Sequence, residues 1–258
     1  MVDAVLFDLG DTIFNFGAAD FRAAVHAGAA DGYALLREAG ITVPDFATYR
    51  RRHYRALRRC YFWARLSRRD FNAMDVMCRV CQALGVAVSR EQALELAWVW
   101  YRPIVEKTHV EPGVADMLEQ LRAAGTKLAI VSNTCVPGHC LDRHLEQVGL
   151  LDYFPVRIYS CDVIYRKPHR RIFEIALERV GVAASRAVFI GDLLGADIRG
   201  AGRAGLRTVW KPAMHLAPAP GDRKIRRADA MVRSLTQLMD VLPSFGWVSS
   251  PSMALACS

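Results

Sequence analysis

Lysine is scarce in this chain: it supplies five of the 34 basic residues, and arginine supplies the other 29. Long hydrophobic runs are absent as well. None approaches the ~20 apolar residues that a membrane-spanning helix requires, so no spanning segment and no membrane partner are expected. The opening MVDAVLFDLGD carries neither a basic stretch nor a small-residue cleavage site, and a secretory leader is not expected. Seven scattered cysteines in 258 residues do not make a disulfide framework; they read as reduced thiols of a cytoplasmic protein. There is no internal repeat.

The remaining composition, 52% hydrophobic and 23% charged, is that of a globular chain and excludes a disordered one. The length suits one large domain, or a domain carrying a smaller insertion. The net charge of +8 suggests nucleic acid, but a total says nothing about where the charge sits. Residues 16–105 hold 14 basic and eight acidic residues, against 20 and 18 in the rest. The excess therefore lies mostly in one segment.

Short apolar runs occur at 3–8, 127–133, 156–160, 187–192 and 206–210, each reading as a buried parallel strand. Helical patterns lie between them. In 114–125, Met117, Leu118 and Leu121 share a face and Gly125 stops the pattern. In 170–181, Ile172, Phe173, Ala176, Leu177 and Val180 do the same, ending at Gly181. Such alternation predicts a doubly wound α/β core with a parallel sheet. The stretch 16–105 has almost no strand-like run and is helical in period, with candidate breaks at Gly40, Pro44, Gly85 and Pro103. It reads as an inserted helical cap. The expected organisation is a discontinuous core of 1–15 and 106–243, a cap of 16–105 and a loose tail of 244–258. Residues 212–224 read as a loop.

An open parallel sheet binds ligands at the carboxyl ends of its strands. Here the first strand ends in Asp8, followed by Gly10, Asp11 and Thr12, and the second in Ser132 and Asn133. Lys167-Pro168 follows, then Asp192 after a later strand, with Asp197 five residues on. The ordered set FDLGDT, VSNT, RKP and GDLLGAD resembles the haloacid dehalogenase superfamily along nearly the whole chain. The resemblance implies a Rossmann-like core, a helical cap and phosphoryl transfer through an aspartyl-phosphate. It implies Asp8 as nucleophile, and Mg²⁺ held by Asp8, Asp192 and the backbone carbonyl of Gly10. It implies Ser132, Asn133 and Lys167 as phosphate ligands, with Asp197 orienting Lys167 or a metal-bound water. The substrate would be a small organic phosphate monoester.

One position departs from the pattern. Phosphatases of the superfamily carry a second Asp two residues after the nucleophile, as an acid and base; here that position is Gly10. Losing such a group costs ~10²–10⁴ in rate, least for aryl or acyl phosphates whose leaving groups need little protonation. Asp11 is adjacent; the first reading is structural, and the second is that it takes over the acid-base role. A catalytically weak protein that binds a phosphorylated ligand or a protein partner is the alternative. Mutases depend on the missing Asp. Phosphonate hydrolases use a cap lysine, and residues 16–105 contain none. Haloacid dehalogenases, a further alternative, lack the acid found here at Asp192. The glycine usual ahead of the Lys-Pro pair is replaced by Ile164.

Other patterns carry less. Gly200, Gly202 and Gly205 match GxGxxG, but a helix precedes them and a strand follows, the reverse of a dinucleotide site. Cys78 and Cys81 form one CxxC without a second pair, and Cys135, His139, Cys140 and His144 match no common zinc spacing. Residues 50–69 contain nine arginines and no acid. At helical spacing Tyr54, Leu57, Tyr61 and Ala64 share one face, with Arg51, Arg55, Arg58, Arg59 and Arg69 opposite. The bland reading is a solvated arginine face and the next is steering of anionic substrates. Nucleic-acid contact ranks last, for want of a binding motif, and oligomeric state is open.

Overall fold

A computed structural model describes residues 1–17, 20–213 and 227–248. Six strands, β1 (Ala4–Phe7), β2 (Lys127–Ser132), β3 (Val156–Tyr159), β4 (Ala187–Gly191), β5 (Arg207–Trp210) and β6 (Ala230–Met231), pair in parallel. Their order is β3-β2-β1-β4-β5-β6. The chain builds outward from β1 to β3, then returns to the other side of β1 for β4. That reversal opens a crevice at the carboxyl ends of the central strands. Leu6 is level with Ala129 on one neighbour and Phe189 on the other, so the chemical residues ending these strands emerge side by side.

The central strands β1 and β4 bury both faces, which is why the sequence shows runs rather than alternation there. Val5, Phe7, Val188 and Ile190 pack against Leu118 of α5 (Val114–Ala123) and Leu145 of α6 (Gly138–Gln147). Leu6, Ala129 and Phe189 face Ile172, Phe173 and Ala176 of α8 (Arg170–Val180). Each fully buried large side chain contributes ~1.5–3 kcal/mol.

Four helices form the inserted cap segment: α1 (Phe21–Glu38), α2 (Phe46–Ser67), α3 (Ala73–Ala83) and α4 (Arg90–Val105). Their starts follow from capping chemistry. Asp20 accepts from the backbone of Arg22 and Ala23, Asp45 from Thr48, and Ser89 and Gln92 form a reciprocal box. α1 lies directly on α4 because positions 28 and 32 are glycine: a Cβ at Gly28 would sit 2.3 Å from the Trp100 carbonyl oxygen. Asn15 and His109 exchange backbone bonds of 2.9 and 3.1 Å, closing the base of the insertion.

A seam ties cap to core. The Asp70 carboxylate accepts from Ser160, at the start of α7 (Ser160–Val163), and from Arg166, each at 2.7 Å. Asp70 N donates to the Ile164 carbonyl and Ala73 N to that of Cys135.

Several expectations need correcting. Pro103 does not break α4; it lies in the last turn, where one missing N–H removes a single bond, and it is buried. The break at 68–72, between α2 and α3, had no proline or glycine to announce it; Arg68 turns left-handed with φ 56°. The chain is not loose over 244–248: Phe245 and Trp247 are buried, and Trp247 Nε1 donates to Thr126 Oγ1 at 2.9 Å. Residues 249–258, and 214–224 of the expected loop, lie outside the described residues.

Candidate active site

Asp8 follows β1, Ser132 ends β2 and Asp192 follows β4, so sheet register alone brings a carboxylate, a hydroxyl and a second carboxylate to one edge. Lys167 arrives on the loop between α7 and α8. Its Nζ lies 2.6 Å from Asp8 Oδ1, 2.7 Å from Asp197 Oδ1 and 2.8 Å from the Val131 carbonyl oxygen. Hydrogen bonds run to Asp8 and Val131, the Asp197 contact is an ion pair, and the group is buried. Asp197 occupies a turn of π-helix at Leu194–Ile198, where its Oδ2 accepts from Leu193 N at 2.9 Å. Asp8, Gly10, Asp11, Ser132, Asn133, Lys167, Asp192 and Asp197 all line one cavity of about 380 Å³.

The electrostatics are unbalanced. Burial raises the Asp8 carboxyl to about 6, even though Lys167 pulls it down. Burial, then repulsion from Asp8 and Asp197, raises Asp192 to about 9. Burial opposes the charge on Lys167, but Asp197 and Asp8 outweigh it and hold the ammonium above the ordinary lysine value. Three carboxylates therefore share one cation. Carboxylate oxygens of Asp8, Asp192 and Asp197 lie within 4.8 Å of one another. No donor bonds the Asp192 carboxylate among the described residues. An all-oxygen donor set with surplus negative charge fits a hard divalent ion.

The remaining expected residues divide. The Ser132 side chain is buried, lines the cavity and has no hydrogen-bond partner among the described residues, leaving its hydroxyl available. Asn133 is different: Nδ2 donates to the Lys167 carbonyl at 3.0 Å and Oδ1 accepts from Lys167 N at 2.7 Å. Both bonds place the lysine backbone, and Asn133 also lines the cavity. Asp11 helps to shape the loop after β1. It sits at φ 54°, its Oδ1 accepts from Phe16 N at 3.3 Å and its carbonyl accepts from Lys211.

Three residues escaped the sequence reading. Phe16 covers Gly10: a Cβ there would meet the ring edge at 3.1 Å. Arg166 lines the cavity beside Lys167 while paired to Asp70. Lys211 is fully buried, 2.8 Å from Glu111 and 3.2 Å from both Asn15 Oδ1 and the Asp11 carbonyl, and pins the loop after β1. The scarcity of lysine was the available signal, since two of the five, Lys167 and Lys211, are buried at or under the site. Ile164, standing where a glycine is usual, adopts φ 62° and so carries a β-branched side chain in left-handed backbone.

The other patterns resolve as packing. Gly200 lies against Phe173 and Pro168, where a Cβ would come within 3.0 Å of backbone. Cys81 Sγ is 3.8 Å from buried His53. His144 pairs with the Tyr101 hydroxyl at 3.0 Å and stacks on Phe14. Among the described residues, the aspartate trio is the one group arranged to hold a metal. The six described cysteines are free thiols. No helix is long and apolar enough to cross a membrane. On α2, Arg58 turns into a cavity wall beside Leu57 rather than facing away, and Arg69 lies past the helix end.

The chain matches the model of the haloacid dehalogenase-like hydrolases over residues 2–205. It is 32% identical over 154 residues to the ribulose-1,5-bisphosphate 5-phosphatase of Halopiger xanaduensis, covering 58% of this chain and 64% of that relative. The match thus spans less than two thirds of that relative's length. The 2-haloacid dehalogenase of Pseudomonas syringae pv. tomato superposes with a TM-score of 0.63 at 26% identity, over 95% of this chain and 100% of the other. The HAD phosphatase of Thermococcus onnurineus gives 0.57 at 30% identity, over 94% and 98%. Parallel core, inserted helical cap and an aspartate cluster at the switch point of the sheet agree with these matches, and the chain belongs to the haloacid dehalogenase-like hydrolases.

Proposed function

We propose that the chain is a Mg²⁺-dependent phosphatase that cleaves a small organic phosphate monoester through an aspartyl-phosphate on Asp8. The observation that carries this reading is the convergence of Asp8, Asp192 and Lys167 in one buried cavity. The ion would be held by Asp8, Asp192 and the Gly10 carbonyl, and it supplies positive charge between the carboxylates and the phosphate dianion.

In the first half-reaction an Asp8 oxygen bonds to phosphorus while the ester P–O bond breaks. Gly10 has no proton to give, so the alcohol leaves as its oxyanion and is protonated by solvent. In the second, water attacks phosphorus, the bond to Asp8 breaks, and inorganic phosphate leaves with the Asp8 carboxylate restored. The Ser132 hydroxyl, the Lys167 ammonium and backbone N–H groups at Asn133 and after Asp8 donate to the phosphoryl oxygens. Asp197 pairs with the Lys167 ammonium and holds it in register beside Asp8.

Phosphate release from a panel of esters, with and without EDTA, tests the reading. Activity should vanish with chelator and with Asp8→Asn; survival of either condition overturns it. Gly10 favours a second reading, a protein that binds a phosphorylated ligand without turnover, which predicts saturable binding and no release. Metal-free halide release would instead indicate dehalogenation, which Asp192 argues against.

A further inference from the structure

Beside the catalytic cavity lies a larger one of about 860 Å³, between α2, α3 and α4 of the cap and the loop after β2. Tyr101, Ile104 and Val136 line both cavities, so an ester whose phosphate sits at Asp8 projects its alcohol portion along this shared wall. The size is that of a site for a drug-sized molecule.

The lining is apolar. Among the described side chains around it, only Arg58 and Arg65 carry charge, and both are exposed. Its other polar atoms are mostly committed. Trp100 Nε1 donates to the Tyr49 hydroxyl at 3.3 Å, and the Tyr101 hydroxyl is paired with His144. A polyol alcohol would leave hydroxyls unpaired in such a cavity, at ~1–3 kcal/mol each. An aromatic alcohol would instead gain by burying its surface against Leu57, Phe71, Met77 and Trp100.

A second observation, independent of the lining, agrees. Phe16 covers Gly10, where a proton donor for the leaving oxygen would stand. A leaving group that departs unprotonated must be a stable anion, as a phenolate is and an alkoxide is not.

We infer that the substrate is the phosphate monoester of a large apolar phenol, its ring system seated in the cavity between α2, α4 and the loop after β2. The inference rests on the phosphatase reading above and names the substrate class for the same site. Phosphoryl transfer proceeds as already written, with the phenolate as leaving group and solvent supplying its proton.

Phenyl phosphate, 2-naphthyl phosphate and glycerol 3-phosphate form the test set, since the two phenols are of similar acidity and differ in apolar surface. We expect kcat/KM for the naphthyl ester to exceed that for the phenyl ester at least ~10-fold, with glycerol 3-phosphate lowest. Leu57→Gln and Phe71→Gln should each bring the naphthyl-to-phenyl ratio close to one. Asp8-dependent hydrolysis of all three esters at similar kcat/KM would overturn this inference and leave the phosphatase reading standing. The non-hydrolysable pair 2-naphthylmethylphosphonate and methylphosphonate, compared by calorimetry, reads the cavity without catalysis. Preference for the naphthyl compound, lost in Leu57→Gln, supports the cavity's ligand class even if no ester is turned over, in which case only the phosphatase reading falls. No preference in either experiment overturns the inference. A dimer that buries the cavity, seen by ultracentrifugation and not displaced by the naphthyl phosphonate, overturns it as well.

Discussion

Replacing Gly10 by aspartate restores the residue type that phosphatases of this superfamily carry two positions after the nucleophile, yet the structure predicts that the single change fails. Gly10 lies outside the left-handed region of backbone space, so the chain itself accepts a side chain there. The obstacle is Phe16, whose Cε2 would lie 3.1 Å and whose Cζ 3.8 Å from the new Cβ. The ring must yield by a few tenths of an ångström for the first carbon alone, before the carboxyl is placed. Gly10→Asp alone is therefore expected to gain less than ~10-fold on any ester. Gly10→Asp combined with Phe16→Ala removes the obstruction and should gain ~10²–10⁴ on alkyl phosphates, about 3–5 kcal/mol of transition-state stabilisation. 4-Nitrophenyl phosphate, whose leaving group needs no proton, should change little. The assay is a plot of log kcat/KM against leaving-group pKa for both proteins: steep for the natural chain, flatter for the double variant. A natural chain that hydrolyses alkyl and aryl esters equally refutes the reasoning. So does a double variant that melts normally and gains nothing on alkyl esters.

Three further outcomes follow from particular contacts. Lys167→Met should abolish turnover and, by leaving Asp8 and Asp197 buried without their cation, destabilise the metal-free protein by about 3–5 kcal/mol at neutral pH; unchanged chemical denaturation would contradict this. Ile164→Gly relieves a β-branched residue at φ 62° and should stabilise by roughly 1 kcal/mol, read as a rise in Tm of about 2–4 °C; a lower Tm would refute it. Burial lowers His144 to about 4, from 6.5 in the unfolded chain, so the unfolded state takes up the proton first as pH falls. Roughly 3 kcal/mol of stability is then lost between about pH 6.5 and 4. His144→Leu should remove that portion of the pH dependence, and denaturant midpoints across the range measure it.

The central strands were legible because a strand buried on both faces must be continuously apolar, and each such run ends in a residue whose chemistry is visible, as Asp8, Ser132 and Asp192 are. β6 was not legible: two residues, Ala230 and Met231, carry no pattern. The turn at Arg68 was hidden because an arginine announces no left-handed backbone. Phe245 and Trp247 stand in a stretch with no helical or strand period, and it is their apolar surface alone that docks them. Within the site, residue types forecast charge but not allegiance. Asn133 stands beside Ser132 in sequence, and only the backbone path shows that its amide bonds the Lys167 backbone at both ends. Phe16 is a hydrophobic residue among many until the loop after β1 folds it over Gly10.

The seam at Asp70 has a consequence for the charge of the site. The Arg166 guanidinium stands in the wall of the catalytic cavity, one residue from Lys167, yet its counter-charge comes from Asp70 of the inserted cap segment. The same carboxylate accepts from Ser160, so a single cap residue is bonded to two residues of the core. The electrostatic balance of the cavity wall is therefore set in part by a residue that belongs to the insertion and not to the sheet.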